Sequence, residues 1–216
     1  GIFIDLGPVG IVKYKEGKPK LLKDANRGRV YSGPLIVLIN GASASASEIL
    51  AAALQYHNRA LIAGSNSFGK ATGQIVVPAD TNTWASYYTG QSVPEDYVKV
   101  TQSRFYAPNN TSHQSNGIQP DIVVPSLFDA YYSKESGQRY VLNNPDIIKN
   151  VYFEPKLSIP IEELSQLSGD RISEDSTFAK IRELQDSLTL NFEEGFFIQL
   201  DFKSVWEYYK IKDANT

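Results

Sequence analysis

The chain has 216 residues, a formal net charge of −3, 42% hydrophobic residues and 12% aromatics, which suits a domain, or a domain and a half, built on a substantial core. So mild an acidity leaves no basic footprint for nucleic acid, and no run of about 18 apolar residues is available to span a membrane. Zero cysteines exclude disulfides, thiolate metal sites and a cysteine nucleophile, and no spacing of His, Asp and Glu suggests a metal site. The chain opens on Gly1 and holds no methionine, so it reads as an excised part of a longer protein whose targeting segment lies elsewhere.

Residues 2–6 and 10–14 predict strands around a Gly7-Pro8 turn, and the Lys-, Gly- and Asn-rich stretch 13–29 predicts a solvated hairpin or loop. The apolar run 35–39 has the length of a buried strand. Residues 47–56 predict a helix, with Ile49, Leu50, Ala53 and Leu54 as its apolar stripe and Ala51, Ala52 and Ala53 suited to close packing on a sheet. Residues 60–64 predict the next strand. Strand, turn, helix, strand is a βαβ unit, which implies parallel neighbours in an α/β layer.

Further strands are expected at 74–78, 84–88, 98–106 and 122–124, the last preceded by a turn over 117–121. Beyond Pro125 the pattern becomes charged and helical. One helix starts over 159–164, and Asp175-Ser176-Thr177 caps another that runs to about Leu188. The expected fold class is α/β: a layered, βαβ-containing core over 1–126, then a mainly helical extension over 127–216, with a boundary near 126–145.

Chemistry concentrates in Ser43-Ala44-Ser45-Ala46-Ser47-Glu48 and in Phe68-Gly69-Lys70, with Gln74 close behind. A serine hydroxyl is a poor nucleophile until a base takes its proton, and a lysine can do so only as the neutral amine. Burial in an apolar setting favours that form, and Phe68 with the adjoining strands is expected to supply it. A serine at a helix N-terminus gains oxyanion donors from the unpaired first N–H groups of the helix. Alanines on either side of Ser45 would let a peptide carbonyl come close.

Two plainer readings compete. Ser45-Ala46-Ser47-Glu48 is also a capping box, in which Glu48 reaches back to the serine. Gly64-Ser65-Asn66-Ser67-Phe68-Gly69-Lys70 matches the G-x-x-x-x-G-K part of a phosphate loop, but Ala71 stands where Ser or Thr should hold Mg²⁺, and a strand follows instead of a helix. His57 and His113 read as a helix-end residue and a loop residue. The aromatics Tyr131-Tyr132 and 206–209 read as packing.

The run 43–49, then Arg59-Ala60-Leu61-Ile62-Ala63-Gly64 and Phe68-Gly69-Lys70, resembles the carboxy-terminal processing, or tail-specific, serine proteases. Phe105-Tyr106-Ala107-Pro108 and Gly117-Ile118-Gln119-Pro120-Asp121 match further family segments in the same order, so the likeness covers about 31–125. It implies Ser45 as nucleophile, Lys70 as general base, Gln74 as the residue that orients the lysine, and the Ala46 backbone N–H as oxyanion donor. It implies no metal and no cofactor. Ala71 replaces the family's glycine after the lysine, which matters only where that backbone needs a positive φ. The glycine-rich segment that supplies a second oxyanion N–H is expected upstream of Gly1.

Residues 161–178 are also similar to the helical C-terminal extension of the larger tail-specific proteases. The resemblance implies protein or peptide substrates with apolar C-termini, an upstream PDZ domain, room for an adaptor protein, no nucleic acid, and a location in the periplasm or envelope of a bacterium. The expectation is therefore a serine endopeptidase with a Ser-Lys dyad. The alternative is a catalytically incomplete structural or interaction fragment of one.

Overall fold

The computed structural model describes the chain except residues 92, 131–132, 146, 154, 156–157, 194–200 and 215–216. Its frame is two sheets bridged by one helix. β1 (Gly7–Tyr14) and β2 (Lys20–Asp24) form the hairpin expected over 13–29. β3 (Ile36–Ile39), α1 (Ala46–Tyr56) and β4 (Leu61–Gly64) form the βαβ unit, with β3 and β4 in parallel register from Ile36↔Leu61 to Ile39↔Gly64. β5 (Thr72–Pro78) and β6 (Tyr97–Tyr106) are antiparallel, and β7 (Ile122–Val123) is a short strand parallel to β4. The strand orders are β2-β1-β6-β5 and β3-β4-β7.

The main core lies where α1 meets the parallel sheet. Ala51, Ala52 and Leu54 pack with Ile39, Ala60 and Ile62, and Ile4 and Ile118 close the cluster. Alanine has no side chain beyond Cβ, so this face of α1 can approach the sheet closely, and Ala51 and Ile62 are wholly buried. At the end of β4 the chains come closer still. Gly64 has φ 124°, and a Cβ there would sit on the Ile39 carbonyl, so only glycine allows the chain to turn from the sheet into the loop carrying Lys70. Asp121 fixes the other side of β4. Its Oδ2 accepts the Ile62 N–H at 2.8 Å, its own N–H donates to the Ile62 carbonyl at 2.7 Å, and its Oδ1 accepts from Gln55 Nε2 at 2.8 Å.

Three expectations are corrected. Residues 2–6 are not a strand: Leu6 takes φ 58° and the strand begins at Gly7, so Gly7-Pro8 lies inside β1 beside a bulge rather than forming a turn. Residues 84–88 form α2 (Trp84–Tyr88). The Asp80 side chain accepts the Asn82 N–H at 2.9 Å and starts the turn, and Trp84 Nε1 donates to the Pro78 carbonyl at 3.0 Å, which folds the segment back on β5.

The extension is not helical from its start. Among the described residues of 127–160 there are only two 3₁₀ turns, Leu127–Ala130 and Glu135–Gly137, and the helices of the extension are α3 (Ile161–Glu174), α4 (Ser176–Glu193) and α5 (Phe202–Ala214). Ile159, Ile161 and Leu164 pack on Leu61, Ala63 and Ile122, which joins α3 to the parallel sheet. Of the aromatics read as packing, Tyr131 and Tyr132 lie outside the described residues, and Trp206 is 54% exposed, stacked on Phe202. Among the described residues no helix is long and apolar enough to cross a membrane.

Candidate active site

Strand β3 ends at Ile39, and a tight loop delivers the chain to α1. Asn40 holds that loop: its Oδ1 accepts the Ala42 N–H at 3.0 Å, and its carbonyl accepts the Ser43 N–H at 2.9 Å. Ser45 is the N-cap of α1, with φ 60° and ψ −114°. A side chain bearing a Cβ rarely adopts that backbone, and such strain is typical of a turn that presents a hydroxyl from between a strand and a helix. Ser45 is half-buried, while the N–H of exposed Ala46, the first residue of the helix, has no partner among the described residues. It is one of the orphan donors that every helix start leaves over, aimed along the positive end of the helix dipole.

Glu48 reaches back to the Ser45 N–H as in a capping box, while Ser45 makes no side-chain cap hydrogen bond, and the glutamate does more than cap. Glu48 is fully buried. Its Oε2 accepts the Ser45 N–H at 2.8 Å and the Lys70 N–H at 2.9 Å, and its Oε1 accepts the Ser67 hydroxyl at 2.5 Å and the Gly69 N–H at 2.7 Å. One carboxylate thus receives four donors, and one of its oxygens holds the backbone of both proposed catalytic residues. A buried carboxylate would be costly alone, and these four donors supply the compensation. The Phe68 N–H adds a further tie, donating to the Ser43 carbonyl at 2.9 Å.

The lysine loop is also fastened from the far side. Ser67 Oγ accepts the Ile118 N–H at 2.6 Å, and the Ser115 N–H donates to the Gly69 carbonyl at 2.8 Å. Gln114 Oε1 accepts the Ala71 N–H at 2.7 Å, Gln114 Nε2 donates to Glu135 at 2.8 Å, and the Glu135 N–H donates to the Phe68 carbonyl at 3.0 Å. The first part of the extension therefore straps the lysine loop to the core. Ala71 is buried and is not among the residues of positive φ, so alanine is accommodated where the family has glycine.

His113, read from the sequence as a loop residue, sits against the buried carboxylate. It is itself buried, its Nε2 lies 3.9 Å from Glu48 Oε2, and among the described residues neither ring nitrogen has a partner at full hydrogen-bond geometry. Burial pushes its pKa below 6.5, against the opposing pull of the Glu48 carboxylate and the Lys70 backbone. His57 is the helix-end residue expected of it: it is the C-cap of α1, with Nε2 2.6 Å from the Pro8 carbonyl.

Among the described residues no hydrogen bond joins Ser45 Oγ to Lys70 Nζ, and both Lys70 and Phe68 are half-buried rather than enclosed. Gln74 does not hold the lysine here: its Nε2 donates to Thr72 Oγ1 at 2.9 Å and to Thr101 Oγ1 at 3.4 Å. The reason is its place on β5 opposite Thr101, where both hydroxyls are nearer partners. Lys70 and Gln74 nonetheless line one open cavity of about 410 Å³. Among the described residues no group of His, Cys, Asp and Glu is placed to hold a metal ion.

The sequence profile described as Peptidase family S41 matches residues 1–124. The chain belongs to peptidase family S41. This S41 chain is 39% identical over 123 residues to a carboxy-terminal-processing protease of Bartonella bacilliformis, a match covering 56% of the chain and 25% of the relative. It is 37% identical over 138 residues to a tail-specific protease of Haemophilus influenzae, covering 64% of the chain and 19% of that relative. Among solved structures it is similar to a photosystem II D1 C-terminal processing protease, with 31% identity and a TM-score of 0.45 over 57% of the chain and 28% of that structure. The chain thus spans a quarter or less of the length of these two sequence relatives.

Proposed function

We propose that this S41 chain carries the nucleophile and the base of a serine endopeptidase. The observation that supports the reading best is the strained Ser45 at the head of α1, beside the unpaired Ala46 N–H and tied through one Glu48 oxygen to the backbone of Lys70. The neutral Lys70 amine takes the hydroxyl proton as Ser45 Oγ bonds to the scissile carbonyl carbon. The carbonyl electron pair moves onto oxygen, and the Ala46 N–H donates to the resulting oxyanion. When the C–N bond breaks, the Lys70 ammonium returns the proton to the leaving amine and an ester remains on Ser45. Water, deprotonated by the same amine, then attacks the ester, which releases the acid and restores the serine.

Gln74 serves by turning from Thr72 and Thr101 to the lysine when substrate enters. The names of the relatives, carboxy-terminal-processing and tail-specific, support substrates chosen by their C-terminal tails. Apolar C-termini selected through a PDZ domain upstream, with an adaptor protein as a further partner, belong to the same reading. The bacterial origin of both relatives supports a place in the periplasm or cell envelope.

A second reading, a non-catalytic interaction fragment of such a protease, is favoured by the lack, among the described residues, of a hydrogen bond between the Ser45 and Lys70 side chains. Cleavage of an unstructured protein such as casein separates the two. The peptidase reading expects cutting that disappears in both Ser45→Ala and Lys70→Ala. Cutting that survives either change, or a folded protein that never cuts, would favour the second reading.

A further inference from the structure

Strand β6 is longer than its neighbour. β1 pairs with it only from Ile11↔Tyr106 to Tyr14↔Ser103, while β6 continues to Tyr97, paired with β5 alone. Among the described residues the side of β6 that faces away from β5 therefore has no strand partner over 97–102. Outward backbone N–H and C=O groups of that kind are a template for one more strand.

The step where β1 stops is a cavity of about 270 Å³, lined by Lys13, Lys15, Thr101 and Arg104 among others, and no acidic residue lines it. Lys13 and Arg104 stand directly opposite each other across the two strands. Like charges in that relation destabilise a sheet, and among the described residues neither has a carboxylate partner. Edge protection accounts for a lone lysine such as Lys99. It does not account for a half-buried pair of cations at the head of an open edge. Thr101 and Leu142 line both this cavity and the one that holds Lys70 and Gln74, so the two spaces adjoin.

We infer that the open edge of β6 binds an extended, acidic polypeptide segment as an added strand, with its carboxylates on Lys13, Lys15 and Arg104. The strand supplies sequence-independent backbone pairing, and the three cations choose the charge of the side chains. Taking that segment to be part of the substrate rests on the peptidase reading, because the shared wall leads from this edge to Lys70. The binding itself does not depend on that reading.

Fluorescence anisotropy tests it, using the Ser45→Ala protein and a labelled twelve-residue peptide that alternates valine with glutamate. The peptide is expected to bind with an affinity that falls as salt is raised. Lys13→Glu with Arg104→Glu should weaken it about tenfold or more, and methylating the amide nitrogens of one strand face should weaken it similarly. Should that pair of changes impair folding, as read by circular dichroism, Lys15→Glu in the exposed turn reads the same charge, with a loss of about fivefold. Equal binding of a valine–lysine peptide, unchanged affinity in the charge variants, or equal competition by a single-stranded oligonucleotide would overturn the site. Binding without any casein cleavage by the wild type would overturn the peptidase reading and leave the site standing, and cleavage without binding would do the reverse.

Discussion

The two halves of the candidate site are built differently. On the nucleophile side, Ser45, Ser67, Gly69 and Lys70 all bring a backbone or hydroxyl donor to one fully buried carboxylate. On the β5–β6 side, Gln74, Lys99 and Thr101 line an open cavity, and among the described residues the glutamine side chain bonds only to its threonine neighbours. Backbone positions are thus fixed by a closed network, while the working ends of the lysine and glutamine remain adjustable. The difference places the rigidity of the site in Glu48 rather than in a Ser–Lys contact.

Removing that carboxylate is the most drastic way to break the contrast. Glu48→Ala leaves four donors in the interior with nothing to accept them, and should cost about 3–5 kcal/mol in chemical denaturation. A loss below about 1 kcal/mol would mean that water or a neighbour replaces the carboxylate. Ser45→Gly works in the opposite direction. It relieves a φ of 60° and keeps a residue that N-caps acceptably, so stability should rise by about 1–2 kcal/mol while cleavage is lost.

How much of this was legible depended on how far apart the partners lie in the chain. The β3–α1–β4 unit was readable because its signals are local: an apolar run, an alanine face and a glycine at the turn. Ser45 and Lys70 were singled out by the motifs that carry them, and the structure ties the backbones of both to one Glu48 oxygen. The work of Glu48 was not, since its partners Ser67, Gly69 and Lys70 lie 19, 21 and 22 residues away and nothing nearby distinguishes it from an ordinary cap. His113 was hidden for the same reason, 65 positions from the carboxylate it faces. Residues 84–88 misled because Trp and Tyr favour strands, whereas the Asp80 turn and the Trp84–Pro78 hydrogen bond make that segment a helix.

A smaller effect is expected from pH. His113 has a pKa below 6.5 in the folded chain because burial disfavours its charged form. Below about pH 6.5 the unfolded chain binds the proton that the folded chain refuses, so stability should fall with pH by at most about 1.4 kcal/mol per unit, and level off beneath the folded value. His113→Asn should remove that slope in urea titrations between pH 7 and pH 5, and an unchanged slope would assign it to other groups. Gln74→Ala should move stability least, by about 0.5 kcal/mol or less. It should still slow casein cleavage if the glutamine turns to the lysine with substrate bound. Equal rates would confine Gln74 to its threonine contacts.

Covalent labelling tests the central claim most directly. A fluorophosphonate reacts only with a serine whose proton a neighbouring base can take. After incubation and proteolytic digestion, mass spectrometry should find the adduct on Ser45 in the wild-type chain and not in Lys70→Ala. An adduct on another serine, or undiminished labelling of Ser45 without the lysine, would contradict the account.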